Sequence, residues 1–159
     1  MTTGHDLAIA LRAAYLALHR RSDARFAQFG VSADQFVLLA TLARGGEALT
    51  QRELARRMSS DPSTVRSMLV LLAARGLIER DAHPTDARAR TVTLTAKGQR
   101  AYRRLWKAGE SIRARALSVL RPGEAETLAR LLGRVAEALN PECVPITVPT
   151  SSPSRKDEP

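Results

Sequence analysis

Apolar residues recur along this chain at helical spacing, interrupted by two short runs that lean toward strands. Leu7, Leu11, Ala14, Tyr15 and Leu18, followed by Phe26 and Phe29, trace one stripe of a long helix over 5–28 that Gly30 ends. Ser32 with Gln35 spells a capping box, and Val31 with Phe36 occupies the positions of a hydrophobic staple. They predict a second helix with Phe36, Leu39, Leu42 and Ala43 inward, closed by Gly45 and Gly46. The same device returns with Thr50 and Glu53 as the box and Leu49 and Leu54 as the staple. It opens a short helix that turns Leu54, Ala55 and Met58 inward. Asp61 then caps a helix whose first residue, Pro62, gives up no needed N–H. Val65, Leu69, Leu72 and Ala73 share its inner face, with Met68 at the edge, and Gly76 ends it.

The period now changes. Leu77-Ile78-Glu79-Arg80 and Thr91-Val92-Thr93-Leu94 read as short strands around a loop holding His83, Pro84, Thr85, Asp86, Arg88 and Arg90. Thr95 is an N-cap candidate for a long helix over 96–120, with Ala101, Leu105, Ala108, Ile112 and Leu120 as its stripe. Gly98 in its first turn costs helix propensity, which points to a close backbone approach there. Arg121-Pro122-Gly123-Glu124 punctuates, and a last helix turns Leu128, Leu131, Leu132, Val135 and Leu139 inward. Prolines at 141, 145, 149, 153 and 159 among Ser and Thr predict a flexible tail. Within it, Val144, Ile146 and Val148 alternate as a short strand-like contact would.

Two short helices joined by a tight turn form a helix-turn-helix, in which the first supports and the second reads. The second carries a polar tip of Ser63, Thr64, Arg66 and Ser67, and a basic β-loop follows it. Such a pair suits a helix in a DNA major groove with a loop reaching the adjacent minor groove. The predicted fold is mainly α with a small β-wing. A winged helix-turn-helix module spans 31–95, a helical dimerisation region 5–29 and 96–139, and a Pro/Ser-rich tail 140–159.

Composition sharpens this picture. A chain of 159 residues suits a single domain, or one domain with a dimerisation extension, and aromatics at 4% leave a core of mostly Leu, Val and Ala. The formal charge of +9 favours a polyanionic partner. Residues 51–90 hold eight arginines against five acids, and residues 97–115 hold seven bases against Glu110 alone. Lys97 and Arg100 are expected beside the wing; Arg113 and Arg115 equally suit a solvated helix face. Ser63, Thr64, Arg66 and Ser67 are candidates for base contacts, and Arg66 has the fork to grip guanine. Arg52, Arg56, Arg57 and Arg90 are candidates for phosphate contacts, which position without specifying. No apolar run is long enough for a membrane span, and the N-terminus lacks a basic signal-peptide region, so the expected location is the cytoplasm.

The ordered set Asp61-Pro62-Ser63-Thr64-Val65, Arg75-Gly76-Leu77-Ile78, Asp86-Ala87-Arg88 and Leu94-Thr95-Ala96-Lys97-Gly98 resembles MarR-type bacterial transcriptional regulators. The resemblance covers roughly residues 5–139, and its specificity lies in the combined spacing. It implies a homodimer built by the first and last helices, reading a palindromic operator in double-stranded DNA as a repressor. It also implies that Arg88 enters a minor groove with Asp86 orienting its guanidinium, and that a small aromatic or phenolic ligand modulates binding.

Tyr15 and His19, like Tyr102 and Trp106, lie one turn apart, so each pair can share a face; they are the ligand-pocket candidates, with core packing or a dimer contact as the commoner explanation. Cys143 has Glu142 beside it and no flanking base, which disfavours a reactive thiolate; an incidental thiol is expected. His5, His19 and His83 form no recognisable catalytic pattern with Cys143, and neither zinc-ligand spacing nor a phosphate-cradling glycine loop appears. No enzyme, cofactor or metal site is therefore expected. The alternative to an operator-specific regulator is a winged-helix module used for architectural DNA binding or protein assembly.

Overall fold

The computed structural model describes residues 3–86, 88–140 and 142. Two compact units divide the chain after Val119. The first runs α1 (Gly4–Ala27), α2 (Ala33–Gly45), β1 (Leu49–Thr50), α3 (Gln51–Arg57), α4 (Pro62–Ala74), β2 (Ile78–Ala82), β3 (Arg90–Leu94), α5 (Ala96–Ala108) and α6 (Glu110–Leu117). The second holds α7 (Glu124–Leu139). The fold is thus mainly α with a small antiparallel sheet in the order β1-β3-β2.

Caps set the helix starts. Ser32 and Gln35 close the capping box at α2, and Asp61 accepts from the Ser63 and Thr64 N–H groups ahead of Pro62 in α4. The box expected at Thr50 is only half made. Thr50 accepts from the Glu53 N–H, but the Glu53 carboxylate turns to Arg56 and Arg57 instead of the Thr50 N–H. Two cations outbid one amide for a carboxylate, because charge-assisted bonds are stronger.

α2 is the hub of the core, touching α1, α3, α5 and β3. Its fully buried positions include Leu38 and Leu39; Phe36 and Ala43, expected inside, are half-buried. Leu38 and Leu39 meet Leu54 of α3, Val65, Leu69 and Leu72 of α4, Val92 of β3 and Leu105 of α5 in one cluster. Met68, expected at the edge, is buried. Of the α1 stripe, Phe26 alone is buried among these residues, while Leu7, Tyr15 and Leu18 are exposed.

The sheet positions the wing. Ile78 pairs with Leu94 and Ala82 with Arg90, so the hairpin loop lies at the end away from the helices' junction. A third strand, not foreseen, pairs Leu49 with Val92 and Thr50 with Thr91. At two residues it is too short to leave a periodic signature.

The long helix expected over 96–120 is broken at Gly109, where ψ is near 0°. Packing there is close: a Cβ on Gly109 would stand 3.2 Å from the Phe26 ring and 2.9 Å from the Arg113 guanidinium. Gly98 fulfils its expected role, with the Leu77 carbonyl oxygen 1.9 Å from where its Cβ would be. In the second unit, α7 carries Leu128, Leu131, Leu132 and Leu139, all exposed within this chain. The inward face expected there has no cover among the described residues of that unit. Cys143 and nearly all of the expected tail, along with Ala87, lie outside the described residues.

Candidate nucleic-acid interface

The sequence of α4 separates an inner face from a reading face. Val65, Met68, Leu69 and Leu72 are sunk in the core, so Ser63, Thr64, Arg66 and Ser67 are turned outward and exposed. Asp61 organises the tip. Its carboxylate accepts from both main-chain N–H groups at 2.9 Å and from the Ser63 and Thr64 hydroxyls at 2.5 Å each. Those bonds, the Ser63 hydroxyl foremost, hold the Asp61 carboxyl well below the usual carboxylate range. A carboxylate only accepts, so both hydroxyl protons point inward and their lone pairs face out. Ser67 donates its hydroxyl back to the Ser63 carbonyl. Arg66 makes no bond to a described residue and is the free donor of this face.

α3 braces α4 from the side through Gln51, whose amide donates to the Pro62 carbonyl at 3.2 Å. Arg52 is exposed and makes no bond to a described residue. Arg56 and Arg57 are held by Glu53, at 2.9 and 2.6 Å, and the Arg56 bond leads in lowering the Glu53 pKa. The expected phosphate contacts therefore differ in kind: Arg52 is ready, whereas Arg56 and Arg57 carry a partly neutralised charge.

The wing tip is built on His83. Its Nδ1 accepts from the Thr85 and Asp86 N–H groups at 3.3 and 3.2 Å. The His83 N–H in turn donates to the Ala89 carbonyl. Asp86 accepts from the Arg88 main-chain N–H at 2.9 Å. The resemblance implies that Asp86 orients the guanidinium; here it orients the backbone, and the Arg88 side chain makes no bond to a described residue. Arg90 is exposed at the first pair of the hairpin. Sequence reasoning singled out His83 only as a loop residue and missed that it is the acceptor at the centre of the turn.

Lys97 and Arg100, expected beside the wing, are elsewhere. They follow Leu94, at the opposite end of the hairpin from the loop, and Lys97 donates to the Arg75 carbonyl at 2.7 Å.

The four pocket candidates separate into two groups. Tyr15 and His19 line a cavity of about 230 Å³ between α1, α2 and α6, with Phe26, Val37, Ile112 and Arg113. His19 Nε2 stands 3.4 Å from the Asp34 carboxylate at its side. Tyr102 and Trp106 do not line it. They extend an aromatic row from Phe26 through Phe36, with centroids 4.6, 6.1 and 6.2 Å apart along the row. Arg113 lies 3.9 Å over the Trp106 ring and donates to the Trp106 carbonyl, so it links the row to the cavity. Partial burial lowers the Arg113 pKa. Among the described residues no cluster of His, Cys, Asp and Glu could hold a metal ion, and no helix is long and apolar enough to cross a membrane.

Comparison with known proteins agrees with this geometry. The sequence profile of the MarR family matches residues 29–89, from the α1–α2 turn to the wing. The HTH-type transcriptional repressor MdtR of Bacillus subtilis is 29% identical over 133 residues, 84% of this chain and 85% of its own. The HTH-type transcriptional repressor Rv2887 of Mycobacterium tuberculosis is 31% identical over 108 residues, 68% of this chain and 69% of its own. A mutant MarR from E. coli, solved in complex with operator DNA, superposes with a TM-score of 0.72 at 25% identity, covering 81% of this chain and 92% of that one. The chain belongs to the MarR family of winged-helix transcriptional regulators, DNA-binding proteins that are not enzymes.

Proposed function

We propose that this regulator is a homodimer that represses by occupying a two-fold operator, and that a small ligand tunes its affinity. The observation that carries the reading is the division of α4, whose apolar side is sunk in the core while Ser63, Thr64, Arg66 and Ser67 stand exposed. In this reading α4 lies in the major groove. Arg88 enters the neighbouring minor groove, where a guanidinium senses potential and width. Asp86 shapes the turn that carries Arg88, Arg90 stands at the base of the wing, and Arg52, with Arg56 and Arg57 behind it, takes phosphates. The reading module is residues 31–95; residues 5–29 and 96–139 pair with a second copy, leaving 140–159 as a tail. Exposed Leu7, Ile9 and Leu18 on α1, and Leu128, Leu131 and Leu132 on α7, support the pairing. Two copies of α4 about one DNA turn apart, ~34 Å, would then meet two half-sites.

A small aromatic or phenolic ligand would enter the cavity beside Tyr15 and His19, with Tyr102 and Trp106 as the packing behind Arg113. It alters operator affinity to the extent that it binds one spacing of the dimer better than the other. The protein acts in the cytoplasm, where its operator is.

The test is DNA binding at two salt concentrations, to duplexes from beside the protein's own gene and to scrambled duplex. Tight, salt-sensitive binding to one palindromic stretch is expected. Equal binding to both duplexes would replace this reading with the architectural one.

A further inference from the structure

The first turn of α4 has no amide left to offer a ligand. Pro62 has no N–H, the Ser63 and Thr64 N–H groups donate to the Asp61 carboxylate, and the Val65 N–H donates to the Asp61 carbonyl at 3.1 Å. The hydroxyls are engaged as well. Those of Ser63 and Thr64 donate to the two Asp61 carboxylate oxygens, and that of Ser67 donates to the Ser63 carbonyl at 3.1 Å. All three residues are exposed, so the free lone pairs of three hydroxyls face away from the protein. Arg66 stands among them with an exposed guanidinium that bonds to no described residue.

This arrangement inverts what a helix start usually does. Open amides and the positive end of the helix dipole normally draw phosphate. At α4 the Asp61 carboxylate occupies those amides, and its charge opposes the dipole. A serine or threonine hydroxyl normally donates or accepts, and so tolerates either kind of base edge. Here it can only accept while its proton is held. Phosphate oxygens and the keto oxygens of guanine and thymine are acceptors too, and would meet lone pair against lone pair. The matching groups in the major groove are amino groups, N6 of adenine and N4 of cytosine. Every base pair carries one, and reversing the pair puts a keto oxygen near its place.

We propose that Asp61 sets base preference without touching DNA. By holding the Ser63 and Thr64 protons it makes the tip, with Ser67 beside it, a reader of amino groups that selects adenine or cytosine over guanine or thymine, while Arg66 supplies the outward donor. This rests on the reading that α4 lies in the major groove. Asp61 is then a positioning residue, and its loss changes which base is chosen as well as how tightly DNA is held.

The test starts from duplexes that the full chain selects out of a random pool. Purine in place of adenine, or 2-pyrimidinone in place of cytosine, deletes the amino group; 7-deazaadenine deletes only the N7 acceptor. The same replacements outside the contacted half-site supply the reference for weakened base pairing. Under α4, deleting an amino group should weaken binding about five-fold, and deleting N7 from the same adenine should not. In Ser63→Ala or Thr64→Val the amino deletion should cost nothing further at the pair which that hydroxyl serves. Asp61→Asn keeps an oxygen for the amides, but its NH2 group cannot accept the second hydroxyl proton. A released hydroxyl can donate, so the reversed base pair should come within about two-fold of the original. Loss of a cap alone would lower affinity for every duplex alike. Amino deletions without effect under α4 would overturn the proposal and leave the operator reading standing, as would an Asp61→Asn protein that keeps the wild-type preference. A wild type that selects no sequence would remove both.

Discussion

Gly98 lies so close to the Leu77 carbonyl that a Cβ on it would stand 1.9 Å from the oxygen. The same oxygen accepts the Thr95 N–H, and the Thr95 hydroxyl donates to the Gly76 carbonyl at 2.8 Å. The start of α5 is thus fitted directly against the segment that leaves α4. Gly98→Ala forces backbone from backbone and should lower stability by about 3 kcal/mol or more. Urea unfolding measures this; a loss below about 0.5 kcal/mol, typical of a surface change, would mean the contact relaxes freely.

Asp61 makes the acid side of the stability curve testable. Its carboxyl pKa is lower in the fold than its ordinary value, and those of Asp6, through Thr3, and Glu53, through Arg56, are likewise lowered from theirs. A depressed folded pKa gives stability that is complete above the unfolded value and lost as pH falls through the folded one. The melting temperature should therefore hold steady from neutrality to about pH 5 and decline below about pH 4. Asp61→Asn still caps the helix but cannot titrate, so its decline should be shallower. Parallel curves for the two proteins would contradict this role for Asp61.

Arg66 and Arg52 should fail differently. Losing a base-reading Arg66 to Ala should cost about 1–3 kcal/mol on the operator and relax preference at one base pair. Arg52→Ala should weaken operator and scrambled duplex alike and reduce the salt slope by about 1. Selection of preferred duplexes from a random pool separates the two behaviours. If Arg66→Ala leaves the selected sequence unchanged, its contact is with phosphate.

The wing offers a paired test. Arg88→Ala removes the charge, and His83→Ala removes the acceptor that holds Thr85 and Asp86 in the turn. Both should weaken operator binding several-fold while leaving the melting temperature within a few degrees, since the tip is exposed. Full affinity in His83→Ala would show that the DNA itself shapes the turn.

The pairing faces can be tested by charge. Leu128→Asp with Leu131→Asp places two carboxylates on the apolar side of α7, and sedimentation should find a dimer for the wild type and monomer for the variant. Removing residues 141–159 should leave the dimer intact. Dissociation of that truncated chain would give the tail a structural role.

Local chemistry was the legible part of this protein. The caps at Ser32 and Asp61 and the outward set on α4 follow from spacing and residue type alone, because each involves neighbours within about one helical turn; the glycine at 98 announced a close approach but not its partner. What spacing cannot show is competition among partners distant in sequence or in excess. Glu53 abandons its expected cap for two arginines, and Gly109, where the expected long helix divides, packs against Phe26 of the first helix. Trp106 pairs with its expected Tyr102 but faces Arg113 instead of the cavity. The division of the arginines into held and free ones likewise required the fold.

The junction at Gly109 has a structural consequence. α5 is fixed to the module that holds α4 at its first turn, by Gly98 on Leu77 and Lys97 on Arg75. α6 begins on the far side of a glycine whose neighbour is the Phe26 ring. Gly109 stands where the two helices meet, and it also lines the cavity beside Tyr15 and His19. Whatever fills that cavity would therefore touch the junction of the helix fixed to the module with the helix that leaves it.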